Sequence, residues 1–303
     1  MEASFIYTYD CIIVGGGISG LQAAVQLGRY RHNILVVDSD SGRSTLCKGY
    51  HNILGWPDGI AGPELRRIGH EQATQLGVTF EQDEITDVSQ SRDGFVLQGV
   101  SGQSYSGKRL LLATGIVDNI PSFPGIEACL GLSIYVCPDC DGYEITGKRT
   151  IVFGAGDVGA NMALTLSYWS SDIIYIDHDE HGISAKLQDA LAHKDIPYIR
   201  QPIRDIVASG GCFQGVVLSN GEELTGERGF MAFGGNEVKS SLAKQLGVDL
   251  HKNQHILVDP RTKETNVRYV WAAGDVVAHS EQVTIAMGEG SQAAIWIHKS
   301  LMS

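Results

Sequence analysis

The beginning of the chain alternates between apolar runs and a glycine-rich turn. The apolar run CIIV predicts a strand, and it leads into a GxGxxG spacing at Gly15, Gly17 and Gly20. The helical stretch LQAAVQLGRY follows, and then the β-branched run ILVVD ends at Asp38. In this setting Gly15 allows a tight turn, Gly17 lets a pyrophosphate approach the backbone, and Gly20 lets helix and strand pack closely. Phosphate binds at a helix N-terminus and an acid accepts from ribose hydroxyls, so the pattern predicts a dinucleotide-binding fold.

The same pattern occurs a second time near the middle of the chain. The apolar run TIVF leads into Gly154, Gly156 and Gly159 at the same spacing, followed by the helical stretch ANMALTLSYW. The strand-like run DIIYID then ends at Asp177, as far from Gly154 as Asp38 is from Gly15. A repeat of this length predicts two related units. The second set of candidate dinucleotide-binding residues is Gly154, Gly156, Asp157, Val158, Gly159 and Asp177.

The rest of each half also follows one plan. After each acid come more helix, short alternating strands with turn signals, and an apolar strand running into glycine, at 109–115 and at 229–235. The C-terminal segment is too short for a core of its own, so we expect it to complete the first unit. The predicted fold is α/β, with two Rossmann-like three-layer domains of the ββα type. We expect a first domain of residues 1–117 and 241–303, with residues 118–240 inserted in it.

Composition and charge narrow the class of protein. The chain has 303 residues, 43% of them hydrophobic and 19% charged, a balance that excludes wholesale disorder. Its apolar runs are shorter than the roughly 18 residues of a membrane span. The first residues lack the pattern of a signal peptide, so we expect a cytoplasmic protein. The net charge of −12 argues against binding to the backbone of nucleic acids.

Two of the six cysteines form a CxxC motif, Cys137-Pro138-Asp139-Cys140. A zinc site would need a second pair of Cys or His ligands at similar spacing, and the sequence offers none, so we expect no metal. The alternative is a purely structural role for two cysteines buried in a turn, but the segment CPDCDGYE is too polar for a core strand. A redox dithiol needs only an electron carrier and a proton carrier nearby. Asp141 can carry the proton of a leaving thiolate, whereas the charge of Asp139 disfavours thiolates.

Two dinucleotide folds and one redox dithiol, in this order, resemble the low-molecular-weight thioredoxin reductase family of flavoproteins. The resemblance covers nearly the whole chain. The motifs that carry it are VGGGISG at 14–20, ATG at 113–115, CPDCDG at 137–142, GAGDVG at 154–159, AAGD at 272–275 and EQVTIA at 281–286.

The resemblance implies that FAD lies along the first fold. Its pyrophosphate would lie at the first glycine motif, its adenosine ribose at Asp38 and its flavin near Asn52. The residues it implies for FAD binding are Gly15, Gly17, Ile18, Ser19, Gly20, Asp38, Ser39, Asn52, Ile85, Ala113, Thr114, Gly115, Gly274, Asp275, Gln282 and Val283. The family works as a homodimer whose second domain rotates to present the disulfide and the nicotinamide to the flavin in turn.

The resemblance also assigns roles at the redox pair. Cys140 would be the thiol next to the flavin, Cys137 the thiol that attacks the substrate, and Asp141 the general acid and base. The implied substrate is the disulfide of thioredoxin or of a similar small redox protein.

One departure from the family concerns the electron donor. Members that use NADPH carry arginines after the second strand of the inserted domain, where this chain has Asp177, His178, Asp179 and Glu180. These acids would repel a 2′-phosphate, and Asp177 suits a free ribose diol. Four alternatives stay open: NADH, another adenine nucleotide such as a second FAD, no nucleotide with a donor such as ferredoxin or flavodoxin, and NADPH bound in a non-standard way. The overall acidity disfavours an acidic ferredoxin unless a basic patch exists, for example Arg29, Arg31, Arg66 and Arg67.

Two other functions remain open from the sequence. A related branch oxidises small dithiols with oxygen, and it resembles this chain in HNILG at 51–55 and in the C-terminal EQVTIAMGEG. Those enzymes tend to carry His after the second cysteine, so Asp141 favours the reductase branch. His51 and His279 are further candidate bases, although each also suits an ordinary loop position. The non-enzymatic alternative is a flavin- and thiol-based redox sensor.

Overall fold

The computed structural model describes residues 8–303. Its strands are β1 (Cys11–Val14), β2 (Ile34–Asp38), β3 (Thr79–Gln82), β4 (Ile85–Ser91), β5 (Gly94–Gly99), β6 (Ser104–Gly107), β7 (Leu110–Leu112), β8 (Ile116–Val117), β9 (Ile134–Tyr135), β10 (Thr150–Gly154), β11 (Ile173–Asp177), β12 (Tyr198–Ile199), β13 (Ile203–Ser209), β14 (Cys212–Leu218), β15 (Glu223–Thr225), β16 (Arg228–Ala232), β17 (Glu237–Val238) and β18 (Val270–Ala272). Its α-helices are α1 (Ile18–Arg29), α2 (Arg43–Leu46), α3 (Gly62–Gln75), α4 (Pro138–Asp141), α5 (Gly156–Leu166), α6 (Ala185–His193), α7 (Ser241–Gln245) and α8 (Val283–Met302). Short 3₁₀ helices span Ile126–Ala128 and Gly142–Ile145. Among the helices formed by residues 8–303, none combines the length and the apolar character that a membrane span requires.

The first compact unit contains a five-stranded parallel sheet in the order β18-β7-β1-β2-β3. Its central strand β1 is buried along its whole length, as expected for a parallel strand that is covered on both faces. An antiparallel meander, β4-β5-β6, belongs to the same unit. In the middle strand of this meander Phe95 and Leu97 are buried, which fits the period of two along a strand.

Small residues let two long helices of this unit approach each other closely. Helix α1 buries Ala23 and Ala24, and helix α8 buries Ala293 and Ala294 in the same cluster. A side chain at Gly290 would overlap the carbonyl oxygen of Ser19. The C-terminal helix thus packs on the first glycine-rich helix, as the sequence predicted for a segment that completes the first unit.

The second compact unit repeats the plan of the first. Its parallel sheet has the order β12-β11-β10-β16-β9, and its antiparallel meander is β13-β14-β15. Strand β10 pairs with β11 and β16 just as β1 pairs with β2 and β7. The prediction of an α/β chain with two Rossmann-like units is confirmed.

The boundaries of the two units differ from the predicted ones. The first unit comprises the described residues up to Thr45, Gly62–Val117 and Glu237–Ser303, and the second comprises Leu46–Ala61 and Asp118–Asn236. Segment Leu46–Ala61, expected in the first domain, therefore belongs to the second. The Lys48 N–H donates to the Leu130 carbonyl at 3.0 Å, and Gly131 packs against the Cys47 sulfur. Residues 237–240 join the first unit because β17 pairs with β8.

Candidate redox site and dinucleotide sites

The first glycine motif lies between β1 and α1. Gly15 has a φ of +106°, a conformation that favours glycine, and a Cβ there would overlap the Ala113 carbonyl. A Cβ at Gly20 would overlap the carbonyl of Gly15. Both glycines are therefore required by the packing of the turn itself.

Gly17 differs from these two glycines because the protein does not fill the space beside it. It is the N-cap of α1, no side chain caps the helix there, and a Cβ would meet no protein atom within 4 Å. The first turn of α1 continues with Ile18 and Ser19, and the Ser19 hydroxyl donates to the Ala273 carbonyl at 3.1 Å. The helix start thus leaves open space and uncapped N–H groups, which fit the pyrophosphate of a dinucleotide.

Asp38 lies at the end of β2 beside a cavity of about 440 Å³, which Gly16, Asp40, Arg66 and Phe80 also line. Its Oδ1 accepts from the Gly16 N–H at 2.9 Å, and its Oδ2 pairs with Arg66 at 2.5 Å. The side chain of Asp38 keeps 23% of its surface exposed. An accessible carboxylate beside a cavity fits the ribose of the FAD that the resemblance implies.

Asp275 follows β18 and Gly274. It pairs with Arg43 at 3.0 Å, and Arg43 also contacts Glu281. Burial raises the pKa of Asp275, and the charge of Arg43 opposes this shift. Gln282 is the N-cap of α8 and Val283 is its first residue.

The turn at Gly274 rests on a buried charge cluster. Glu289 of α8 accepts hydrogen bonds from the Gly274 N–H at 2.9 Å, from Lys263 at 2.7 Å and from His279 at 2.6 Å. Both ring nitrogens of His279 face acceptors, since Nδ1 lies 2.6 Å from the Ser280 carbonyl. Burial disfavours the charged ring, but these hydrogen bonds outweigh it and the pKa of His279 is raised. Both ring nitrogens of His279 are thus occupied by hydrogen bonds within the first unit, an arrangement that does not suit a base.

The remaining residues expected at FAD lie in four places. Ala113, Thr114 and Gly115 follow β7, and the Thr114 hydroxyl donates to the Lys239 carbonyl at 2.6 Å. Ile85 begins β4 and is buried, and Ser39 is exposed after β2, its hydroxyl 2.8 Å from that of Ser41. Asn52 is exposed and lies in segment Leu46–Ala61 of the second unit.

The second glycine motif has the same backbone arrangement, but the surroundings of its aspartate differ. Gly154 ends β10, while Gly156, Asp157, Val158 and Gly159 form the start of α5. Asp177 ends β11 with no exposed surface. Its Oδ1 accepts from the Gly156 N–H at 2.9 Å, and its Oδ2 accepts from the Gly182 N–H at 2.8 Å and from the Tyr198 hydroxyl at 3.0 Å.

The loop after Asp177 also approaches the start of α5. The Ser184 N–H donates to Oδ1 of Asp157 at 2.7 Å, and the Gly182 carbonyl oxygen lies 3.2 Å from the position of a Cβ on Gly156. An oxygen atom thus lies beside the second glycine turn, where a phosphate would need donors. Unlike Gly17, Gly156 has a protein oxygen beside it, and unlike Asp38, Asp177 has no exposed surface.

The redox pair lies in the second unit. Cys137 and Cys140 are joined by a disulfide, with their Cα atoms 5.3 Å apart. Cys137 is the N-cap of α4, and its sulfur accepts a hydrogen bond of 3.2 Å from the Cys140 N–H. When the pair is reduced, such a bond favours the thiolate at Cys137. Both cysteines are partly exposed, as thiol exchange requires.

Asp141 follows the pair directly and ends α4. Burial, followed by the negative charge of Glu144, raises the pKa of Asp141 to about 7. A carboxyl group that titrates near neutral pH can donate a proton as well as accept one. The place of Asp141 beside Cys140 and its raised pKa both fit the proton carrier that the sequence predicted.

The other cysteines do not extend this site into a metal centre. Cys11 and Cys129 are buried, Cys47 is partly buried and Cys212 is exposed. Within residues 8–303, no three His, Cys, Asp or Glu side chains converge in a way that could hold a metal ion.

Some charged partners in these sites could not be predicted from the sequence. Arg43 and Asp275 are far apart in the chain, and the sequence offers no local signal for their contact. Arg66 was considered only as part of a basic patch. In the structure it pairs with Asp38 and Asp40, while Arg67 pairs with Glu64 and Glu71. These carboxylates neutralise the two arginines, so they do not form the basic patch considered for ferredoxin.

Comparison with known proteins agrees with the fold. The chain matches the model of the family described as pyridine nucleotide-disulphide oxidoreductase over residues 9–290. A bifunctional thioredoxin reductase/thioredoxin of Mycobacterium leprae (strain TN) is 29% identical over 298 residues, which cover 95% of this chain and 64% of that protein. Thioredoxin reductase of Mycolicibacterium smegmatis is 27% identical over 299 residues, covering 95% and 94%. The solved structure of a putative thioredoxin reductase, TrxB, from Bacillus anthracis is similar with a TM-score of 0.84 and 26% identity, over 97% of this chain and 98% of that one.

Proposed function

Because the chain belongs to the pyridine nucleotide-disulphide oxidoreductase family, we propose that its Cys137–Cys140 disulfide carries electrons to a protein disulfide such as that of thioredoxin. The chain is a flavin-dependent disulfide oxidoreductase of the thioredoxin reductase type. The observation that carries the proposal is the partly exposed disulfide with Asp141, a carboxyl that titrates near neutral pH, directly beside it. The names of the relatives, which are thioredoxin reductases, support thioredoxin as the substrate.

The residues present fit FAD in the first unit. The open start of α1 at Gly17 suits its pyrophosphate, and Asp38 beside the cavity suits the ribose. Asp275, Gln282 and Val283 are the proposed contacts near its flavin end. When bound, FAD supplies a carrier of two electrons between an external donor and the disulfide.

The chain's own residues can carry out the thiol–disulfide exchange with the substrate. The Cys137 thiolate attacks the substrate disulfide, and protonated Asp141 donates its proton to the sulfur that leaves. The Asp141 carboxylate then takes the proton of the Cys140 thiol as Cys140 displaces the substrate from Cys137, and passes that proton to the second leaving sulfur. The substrate gains two electrons and two protons, the Cys137–Cys140 disulfide forms again, and Asp141 regains a proton from solvent.

For the donor we propose a reductant that does not bind in the second glycine-rich fold. Asp177 is fully buried and three donors already occupy its oxygens, so it is not available to a ribose diol. This argues against NADH, and equally against a second FAD held by the same acid. NADPH bound in a non-standard way and a small electron-transfer protein such as ferredoxin are then left, and we propose the protein donor, although Arg66 and Arg67 do not form the basic patch considered for it.

Two assays test this function. An anaerobic titration of the flavin absorbance with NADH, NADPH, reduced ferredoxin and dithionite identifies the donor. Stoichiometric bleaching by NADH or NADPH would contradict the proposed donor.

The second assay tests the substrate. Enzyme reduced by dithionite, freed of excess reductant, is mixed with oxidised thioredoxin, and the new thioredoxin thiols are counted. We expect one thioredoxin dithiol for each reduced Cys137–Cys140 pair. Hydrogen peroxide formed from an added dithiol, without thioredoxin reduction, would instead favour the dithiol oxidase, and neither activity would favour the sensor.

We also propose the homodimer that the resemblance implies. Sedimentation of the flavin-loaded protein is expected to give twice the mass of the chain. A monomer mass at micromolar concentration would contradict this assembly.

A further inference from the structure

The packing of segment Leu46–Ala61 fixes the position of the His51 ring. Tyr50 and Ile60 close the segment with two backbone hydrogen bonds of 2.8 and 3.1 Å. Between them the His51 ring lies against Gly49 and Gly59. A Cβ on Gly49 would lie 2.8 Å from Cε1 of the ring, and a Cβ on Gly59 would lie 2.7 Å from Cδ2. Glycine at both positions therefore leaves the room that the imidazole occupies.

The ring is held next to the helix that follows the redox pair. Nδ1 of His51 lies 4.0 Å from Oε1 of Glu144, and 34% and 27% of the two side-chain surfaces remain exposed. Glu144 belongs to the 3₁₀ helix Gly142–Ile145, which begins directly after Asp141. Glu144 thus lies beside the imidazole and three residues after Asp141, in the helical segment that continues from the redox pair.

Two other titratable groups feel the charge of Asp141, and both stay neutral near pH 7. Burial raises the pKa of Cys47 to about 11, and the charge of Asp141 adds to this shift. Burial likewise raises the pKa of Tyr135 to about 12, with Arg228 opposing the shift and Glu144 and Asp141 adding to it. Asp139 lies on the same short helix and is exposed. Glu144 is therefore the charge that adds to burial in acting on Asp141.

We propose that Glu144 and His51 are positioning residues that set the protonation of Asp141 during thiol–disulfide exchange, an inference that rests on the proposed function. The negative charge of Glu144 keeps the proton on Asp141, and a protonated His51 offsets that charge and eases release of the proton. His51 acts only through Glu144.

The test is the pH dependence of thioredoxin reduction by dithionite-reduced, flavin-loaded enzyme. Four proteins are compared with the wild type: Glu144→Gln, His51→Gln, the double variant, and Glu223→Gln as a control on an exposed position of β15 in the same unit. Asp141 acts as an acid, so the wild-type rate falls as pH rises through its pKa. Glu144→Gln is expected to move this fall to lower pH by about one unit, since a charge at close range shifts a pKa by that order.

The sign of the second shift distinguishes the proposal from a merely structural role. His51→Gln is expected to move the fall to higher pH, because Glu144 then loses its counter-charge. The double variant is expected to match Glu144→Gln, and Glu223→Gln to match the wild type. Equal pH profiles in all five proteins, or shifts of the same sign in both single variants, would overturn the inference. A wild type that does not reduce thioredoxin at any pH would instead overturn the proposed function.

Discussion

The hydroxyl of Tyr198 lies 3.0 Å from Oδ2 of Asp177 and donates the third hydrogen bond to that buried carboxylate. Asp38 has the equivalent place in the first unit, yet it borders a cavity and keeps part of its surface exposed. One sequence pattern thus yields an accessible acid in one unit and an enclosed acid in the other. The enclosed acid joins the start of α5 to Gly182 and Tyr198 within the second unit, whereas the accessible acid is available to a cofactor.

Tyr198→Phe tests whether Asp177 is a structural residue. The ring also stacks on Tyr175 with 5.6 Å between centroids, a contact that phenylalanine keeps. The variant removes one donor from a buried carboxylate, so we expect a loss of about 1–2 kcal/mol in the free energy of unfolding. Urea unfolding measures this loss, and Tyr168→Phe, at a largely exposed position, serves as the control. A variant with unchanged stability that gained reduction by NADH would show that Asp177 is a nucleotide ligand.

The sequence predicted both glycine-rich folds but not the difference between them. The strand, turn, helix and acid follow from local patterns, and each pattern spans fewer than about 30 residues. The donors that enclose Asp177 come from Gly182 and Tyr198, in a loop and a short strand whose placement depends on the packing of the whole unit.

The position of segment Leu46–Ala61 depends on tertiary contacts as well. Its sequence has the glycine and proline content of a loop, but its partners, such as Leu130 and Gly131, lie far along the chain. Asp141 as proton carrier was predicted because it is adjacent to Cys140. The contribution of Glu144 to the raised pKa of Asp141 could not be predicted, because the burial of Asp141 is seen only in the structure.

Gly17→Val tests the FAD site without disturbing the protein's own packing. A Cβ at Gly17 would meet no protein atom within 4 Å, and its φ of −72° is allowed for any residue. We therefore expect a folded protein with unchanged thermal stability in the absence of flavin. The added side chain occupies the space proposed for the pyrophosphate, so we expect flavin content after FAD incubation to fall by about tenfold or more. Gly42→Val, where a Cβ is equally free, is the control, and full flavin content in Gly17→Val would exclude this location.

Cys140→Ser tests the redox pair. The variant cannot form the disulfide, so we expect thioredoxin turnover to fall by about three orders of magnitude or more. Flavin content is expected to stay unchanged, since the pair lies in the second unit. Cys212→Ser, at an exposed cysteine of the same unit, is the matched control and should retain wild-type turnover. Full turnover in Cys140→Ser would assign the electron transfer to other groups.

Asp141→Asn tests the proton carrier through the rate. The amide cannot donate its proton to a leaving thiolate, and we expect thioredoxin reduction to slow by about a hundredfold at neutral pH. The wild-type rate should fall as pH rises through about 7, the pKa of Asp141, whereas the variant should lose that dependence. A variant that keeps both the rate and its dependence on pH would assign the proton transfer to another group.

The same substitution has a separate effect on stability, and its sign follows from the direction of the pKa shift. The pKa of Asp141 is raised in the folded chain, so the folded state favours the protonated carboxyl more than the unfolded state does. Its contribution to stability is fully present below the unfolded pKa, is lost as pH rises toward about 7, and does not change further above that value.

The Asn side chain of the variant stays neutral at every pH. We therefore expect Asp141→Asn to gain stability over the wild type as pH rises from about 4 to about 7, with a constant difference above that range. Urea unfolding at a series of pH values measures the difference, with Asp172→Asn, at an exposed position directly before β11, as the control. A difference that is constant from pH 4 to pH 8 would mean that Asp141 is ionised in the folded protein throughout, and the acid step assigned to it would then be wrong.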